Sequence, residues 1–197
     1  MKFLRLGTSG MRGEVGEALT PPLAIYFASA LGTYIDGGKV VVACDTRISS
    51  EMFRNATIAA LTACGCDVID AGVASAPELH FMVPSLGADA GLLIGAQHHP
   101  EGWNALVPFS SSGACFSSVQ LQELLDIYHS RRYILATWDK MGSEVPAPMN
   151  VQETYLDALC AKIDTQVIAS ARFTVVADFC NGSGSRLAER FASRLGI

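Results

Sequence analysis

Two uninterrupted apolar runs, Lys39 to Asp45 (KVVVACD) and Asp89 to Ala96 (DAGLLIGA), set the strongest limit on how this chain can fold. A strand that is apolar on both sides of its pleat must be covered on both faces, as a central strand of an α/β sheet is. The segments between such runs carry helical signals. Thr20 precedes Pro21 and Pro22, a helix start whose helix should run to about Ile35. Helices are also expected from about Ser50 to Cys64, with Phe53, Ile58 and Leu61 apolar, and for a shorter stretch from Pro77. Cys66 to Ala71 reads as the strand between them, and Trp103 to Phe109 as a neighbour returning beside the second apolar run. Ser117 with Gln120 forms a capping box for a helix reaching about Arg131. The repeated β-α-β order predicts an α/β fold, a layered α/β/α domain with a mixed, largely parallel sheet.

Gly142, Pro146, Pro148 and Asn150 crowd into the stretch from Trp138 to Asn150, which reads as a linker. It separates a first domain over residues 1–137 from a second unit over residues 151–197. That unit is expected to hold a helix (Val151 to Ile163), a strand (Phe173 to Asp178) and a helix from about Ser185. One strand between two helices cannot make a closed sheet, so the unit reads as the start of a second domain, truncated.

Composition narrows the function classes. Fourteen Lys and Arg against nineteen Asp and Glu give a net charge of −5, which excludes a strongly basic nucleic-acid binder. Half of the residues are hydrophobic and 17% are charged, against roughly 25% in an ordinary soluble domain. Such a shortage suits a sheet covered on both faces, or a surface hidden by a partner. No apolar run approaches the roughly 18 residues of a membrane span, and no signal-peptide core follows Met1 to Arg5. The expectation is a cytoplasmic protein without a membrane partner. The six cysteines show no C-x-x-C spacing, and Cys64-Gly65-Cys66 reads as two buried thiols rather than a metal or redox pair.

Three loops carry candidate chemistry. Gly7-Thr8-Ser9-Gly10-Met11-Arg12-Gly13 combines glycines, hydroxyls and one cation, which suits phosphate as well as it suits a plain turn. Asp45-Thr46-Arg47-Ile48-Ser49-Ser50 follows a strand, where α/β sheets bind ligands, and reads equally as an Asp–Arg pair beside a helix cap. Gly95-Ala96-Gln97-His98-His99-Pro100-Glu101-Gly102-Trp103-Asn104 follows the second buried strand. Neighbouring residues usually point different ways and no carboxylate or Cys pair completes a ligand set, so a polar loop presenting His98 as donor or acid is favoured over a metal site. Asn181-Gly182-Ser183-Gly184-Ser185 reads as a strand-to-helix turn, because Leu187 stands where a dinucleotide fingerprint needs glycine.

The order and spacing of these segments resemble the α-D-phosphohexomutases, the family of phosphoglucomutase, phosphomannomutase and phosphoglucosamine mutase. Leu6 to Gly13 resembles the N-terminal signature and Asp45-x-Arg47-x-Ser49-Ser50 the next motif. Gly65 to Gly72 with Ala76-Pro77-Glu78-Leu79 resembles the segment after that, and Gly91 to Asn104 the active-site loop. Tyr155-Leu156-Asp157 and Val175 to Asp178 with Asn181-Gly182 are similar to the entry into the second domain. The resemblance implies a four-domain enzyme that moves a phosphoryl group between C1 and C6 of a hexose phosphate. It further implies a phosphoserine on the first domain, and Mg²⁺ held by that phosphate and by an aspartate-rich loop of the second, which falls beyond Ile197.

The loop departs from the family's Thr-Ala-Ser-His-Asn-Pro. Gln97 stands at the nucleophilic serine's position, and Val107 at that of a lysine assisting proton transfer. A carboxamide has no deprotonatable nucleophile and cannot carry a transferable phosphoryl group. Thr8, Ser9, Arg12 and Arg47 match phosphate-binding positions of the family, and His98 its proton-transfer histidine. The leading expectation is a degenerate site without a metal or other cofactor in this chain, which binds at most hexose phosphate, hexose bisphosphate or a simple anion. An active enzyme with a displaced nucleophile (His98, His99 or Ser110 to Ser112) is one alternative. A non-catalytic interaction module, pairing with itself or with the rest of a longer chain, is the other.

Overall fold

The computed structural model describes residues 4–7 and 9–197. The chain divides into two compact units, Met1–Ala147 and Pro148–Ile197. The first is built on a seven-stranded sheet of β1 (Arg5–Gly7), β2 (Gly10–Glu14), β3 (Lys39–Cys44), β4 (Asp67–Val73), β5 (Ala90–Ile94), β6 (Trp103–Ser110) and β7 (Glu144–Pro146). Its helices are α1 (Pro21–Tyr34), α2 (Ser50–Ala63), α3 (Ala76–Ser85) and α4 (Ser118–Ser130). The strands lie in the order β1-β2-β6-β5-β3-β4-β7. β5, β3, β4 and β7 pair in parallel. β6 is antiparallel to both β5 and β2, so β2 runs with the parallel set, and β1 opposes β2. The fold is α/β with a mixed, largely parallel sheet, as the alternating pattern predicts.

Period-2 side-chain alternation feeds two layers from one sheet. Val40, Val42, Leu92, Ile94 and Leu106 meet Phe27, Leu31, Phe53, Leu61 and Leu124 of α1, α2 and α4 in the main core. Val41, Leu93, Val107 and Phe109 are buried on the opposite face, where α3 packs with Leu79, Met82 and Val83. Each such large side chain taken out of water contributes roughly 1.5–3 kcal/mol. Helices on both faces account for the low charge content.

Helix starts follow local chemistry. Ser75 and Glu78 close a reciprocal capping box on α3, and Ser117 with Gln120 does the same on α4. Thr20 occupies the N-cap of α1 in extended conformation without a side-chain cap bond, and Pro21 and Pro22 open the helix. Where α1 crosses α2, a Cβ placed on Gly32 would stand 2.7 Å from the Cys64 Cβ and 3.1 Å from the Cys66 Sγ. Glycine is what lets the two helices approach so closely.

Three segments differ from expectation. The stretch read as a linker (138–150) contributes β7, because the backbone of Glu144 to Pro146 extends a parallel ladder along the free edge of β4, with Pro146 supplying a carbonyl but no N–H. The glycine-rich N-terminal segment is a hairpin rather than an open loop, with Gly10 to Gly13 inside β2. Gly10 (φ +78°) is required there, since a Cβ would fall on the Leu106 carbonyl.

The second unit, where the third difference lies, holds α5 (Val151–Cys160), α6 (Thr165–Ser170) and α7 (Ser185–Leu195). The helix expected to reach Ile163 ends at Cys160. α6 has no counterpart among the expected elements and starts at Asp164, whose carboxylate accepts from the N–H groups of Gln166 (3.1 Å) and Val167 (3.0 Å). Phe173 to Asp178 has a strand's composition but forms no strand. Ladder hydrogen bonds need a neighbour, and no strand exists among the described residues of this unit. Arg190 and Arg194 of α7 pair with Glu153 of α5 at 2.6 and 2.5 Å.

Candidate functional site

The chain leaving β3 and the chain leaving β5 emerge side by side, joined where the Asp45 N–H donates to the Ile94 carbonyl at 2.8 Å. A polar knot forms at that junction. The Asp45 carboxylate accepts from the Arg47 Nε (3.1 Å), the Arg47 N–H (3.1 Å) and the Ser50 hydroxyl (2.5 Å). Asn104, fully buried at the start of β6, donates from Nδ2 to the hydroxyls of Ser49 and Ser50, both at 2.9 Å. Asp45 also packs so tightly on Gly95 that a Cβ there would lie 2.8 Å from a carboxylate oxygen.

Arg47 then spans the loop from Gln97 to Trp103. Its Nη1 donates to the carbonyls of Pro100 (2.6 Å), Trp103 (3.2 Å) and, at the long limit, Glu101 (3.5 Å), and its Nη2 to those of Gln97 (3.0 Å) and His99 (2.7 Å). The planar five-donor guanidinium suits this arrangement, whereas a lysine has only three donors on one atom. With its side chain 17% exposed, Arg47 is the loop's internal support rather than a free cation.

Gln97 lies exposed on the loop in the left-handed region (φ +52°). Beside it, His98, His99 and Trp103 form a column, with ring centroids 4.8 Å and then 5.1 Å apart, and the Arg5 guanidinium lies over the Trp103 ring, 5.2 Å from its centroid. The His99 Nδ1 lies 2.9 Å from the Ala96 carbonyl and therefore carries the proton. His98 ends the column and is exposed.

Arg12 and Val107 share one sheet face with Ala105. Register pairs Arg12 with Ala105, and Val107 follows two positions along β6 on the face where Phe109 meets His80 of α3. The Arg12 Nε is, among the described residues, the one buried side-chain polar atom without a hydrogen-bond partner. Leaving such a donor unsatisfied costs about 1–3 kcal/mol, so the site has reason to recruit an acceptor. Ser9 is half-buried in the turn between β1 and β2. Thr8 lies outside the described residues. No hydrogen bond among the described residues joins Ser9 or Arg12 to the loop of Gln97 to Trp103.

Ser110 to Ser112 are placed away from this centre. Ser110 pairs with Ala90 at the end of β5 opposite to Ile94, and the eight residues of β6 set it on the order of 20 Å from the loop. The reading of a Ser110–Ser112 hydroxyl as a displaced nucleophile is therefore corrected: the strand is too long to fold it back. Ser110 and Ser112 instead bond one another at 2.9 Å in their own turn. No group of three or more His, Cys, Asp or Glu among the described residues is arranged for a metal. The side chains on the loop, one carboxamide, two imidazoles and the single exposed carboxylate of Glu101, do not make the clustered set of oxygens that Mg²⁺ takes in octahedral array. The nearby Asp45 carboxylate is engaged by Arg47 and Ser50.

Asn104, Ser49, Ser50 and Asp45 were legible as motif letters but not as one knot. A polar residue opening the apolar run WNALVPF was the signal for Asn104. The Arg5–Trp103–His99 column had no sequence signal, because it joins residues from separate elements.

Comparison with known proteins gives consistent results. Residues 4–134 match the family model described as phosphoglucomutase/phosphomannomutase, alpha/beta/alpha domain I. A probable phosphoglucosamine mutase of Pyrococcus abyssi is 38% identical over 190 residues, covering 96% of this chain and 41% of the relative. One of Methanopyrus kandleri is 40% identical over 177 residues, covering 89% of this chain and 38% of the relative. A crystal structure from Thermus thermophilus, provisionally named a phosphomannomutase, superposes with a TM-score of 0.84 at 25% identity, over 98% of this chain and 44% of its own. The chain thus spans about two fifths of the length of the relatives it matches.

Proposed function

Starting from the fact that this chain belongs to the phosphoglucomutase/phosphomannomutase family, we propose that it is a phosphosugar-binding family member whose first domain does not transfer phosphoryl groups. Its ligand is a hexose phosphate or hexose bisphosphate, held through Arg12, Ser9, Thr8 and His98, with Arg47 supporting the loop.

The observation that carries this reading is Gln97. It occupies the exposed left-handed turn at the position that the family resemblance gives to the nucleophile, and a carboxamide cannot form a phosphoenzyme. Val107 supports the same conclusion, since a buried apolar side chain (3% exposed) on the face of Arg12 can neither donate a proton nor offset phosphate charge. Phosphoryl transfer depends on positioning and charge neutralisation, so losing both partners removes transfer while leaving anion binding by Arg12 intact. The unpartnered Arg12 Nε supports that retained binding.

Two measurements test the reading. Calorimetric titration with glucose, mannose and glucosamine 6-phosphates should show binding that Arg12→Ala abolishes; unchanged affinity in the variant would remove Arg12 from the site. Incubation with glucose 1,6-bisphosphate and Mg²⁺ should leave the intact mass unchanged. A stable gain of one phosphate, mapped to His98 or His99, would establish the active-enzyme alternative instead.

A further inference from the structure

We propose that Arg47 is a positioning residue that makes the loop of residues 97–101 a backbone receptor for phosphate, so that anion affinity there depends on peptide N–H groups rather than on a side chain. The proposal rests on the reading of this site as phosphosugar-binding and specifies how the loop takes part.

The geometry follows from peptide planarity. All described peptide bonds are trans, so each N–H points opposite to the carbonyl of its own plane. The Gln97 carbonyl is turned onto the Arg47 Nη2 and the Pro100 carbonyl onto Nη1. The N–H groups of His98 and Glu101 must therefore point away from Arg47. Neither donates to any acceptor among the described residues, and both residues are exposed. The third inward carbonyl, that of His99, precedes Pro100, which has no N–H to leave unsatisfied. The Glu101 carbonyl also reaches Nη1 at 3.5 Å, so the Gly102 N–H points outward as well, and the loop turns its acceptors inward while the N–H groups of His98, Glu101 and Gly102 face water.

Two further features favour an anion. Gln97 sits in the left-handed region at φ +52° directly before the free His98 N–H, a turn of the kind that exposes peptide donors to an anion, while the His99 N–H stays bonded to the Ala96 carbonyl at 3.0 Å. The guanidinium charge behind the planes polarises each C=O···H–N unit and strengthens the outward N–H as a donor. Arg47 does this without contacting the ligand, since it is engaged by Asp45 and five loop carbonyls. Glu101 carries the loop's one carboxylate and is exposed, so the receptor's affinity should be modest.

The test is a nuclear magnetic resonance titration of the ¹⁵N-labelled chain with inorganic phosphate and with glucose 6-phosphate. The His98 and Glu101 amides should shift saturably with both probes, while the Ser110 and Ser112 amides stay fixed. Arg47→Lys should weaken binding by about tenfold or more, because one ammonium cannot hold the five carbonyls that the guanidinium gathers. If the sheet amides of Arg47→Lys collapse, the shifts in the unsubstituted chain carry the test alone. Static His98 and Glu101 amides, with the Arg12 Nε shifting on glucose 6-phosphate, would overturn the receptor and leave the phosphosugar pocket standing. No shift anywhere with either probe would overturn both. A folded Arg47→Lys chain with unchanged affinity would overturn the positioning role.

Discussion

Asn104 Nδ2 donates to the Ser50 hydroxyl at 2.9 Å, tying the first buried residues of β6 to the first turn of α2 across 54 positions of chain. The bond is a crossbar at the mouth of the site, because Ser50 in turn donates to Asp45, which holds Arg47. Asn104→Leu should therefore destabilise the fold by about 1–3 kcal/mol, the cost of stranding buried hydroxyls. In thermal unfolding this is a drop of roughly 2–4 °C per kcal/mol for a chain of this size. An unchanged melting temperature would show that the knot relaxes around the loss.

The crossing of α1 and α2 makes an independent prediction. Gly32→Ala adds a methyl 2.7 Å from the Cys64 Cβ, and backbone-anchored atoms cannot step aside. Overpacking of about 1–3 kcal/mol should exceed the roughly 1 kcal/mol of helix propensity that alanine adds. Net destabilisation in denaturant unfolding is expected, and a net gain would mean that the helices separate at little cost.

Thiol reactivity should divide the cysteines by burial. Burial pushes the Cys66 thiol up to about 12, and it raises Cys64 as well, so neither is a thiolate at neutral pH. Cys115 and Cys180 are exposed. Iodoacetamide at about pH 8, near the ordinary thiol range, should label those two rapidly and reach Cys64 and Cys66 only after unfolding. Fast labelling of Cys66 in the native chain, read by peptide mapping, would contradict this packing.

Acid stability should depend on Asp70. Burial pushes its carboxyl up, but the Arg54 hydrogen bonds, the Gly72 N–H and the Arg54 charge outweigh it and hold the group below its ordinary value. A carboxyl depressed in the folded state stabilises fully above its unfolded pKa, near about 4, and loses that contribution as pH falls through the folded value. The melting temperature should accordingly fall on acidification below about pH 4, and less steeply for Asp70→Asn. Parallel curves for the two chains would assign the acid loss to other groups.

The limits of sequence reading show in particular residues. Ser117 and Gln120 announce α4 because both halves of a capping box lie within one turn. Val40 to Ala43 announce a central strand because burial on both faces leaves no other composition. Phe173 to Asp178 misleads for the opposite reason, since a ladder requires a partner that local letters cannot name.

By itself, then, the sequence determined the α/β class, the order of helices and strands from α1 to α4 and the segments that hold candidate chemistry. Each of these depends on neighbours within a few residues, through side-chain periodicity, caps and turns. Only the tertiary structure decided that β7 is recruited from an apparent linker, that Ser110 to Ser112 stand at the far end of β6, and that Arg47 gathers five carbonyls from a loop roughly fifty residues away along the chain. Those outcomes depend on strand order and register, which bring together groups whose separation along the chain carries no information about their separation in space.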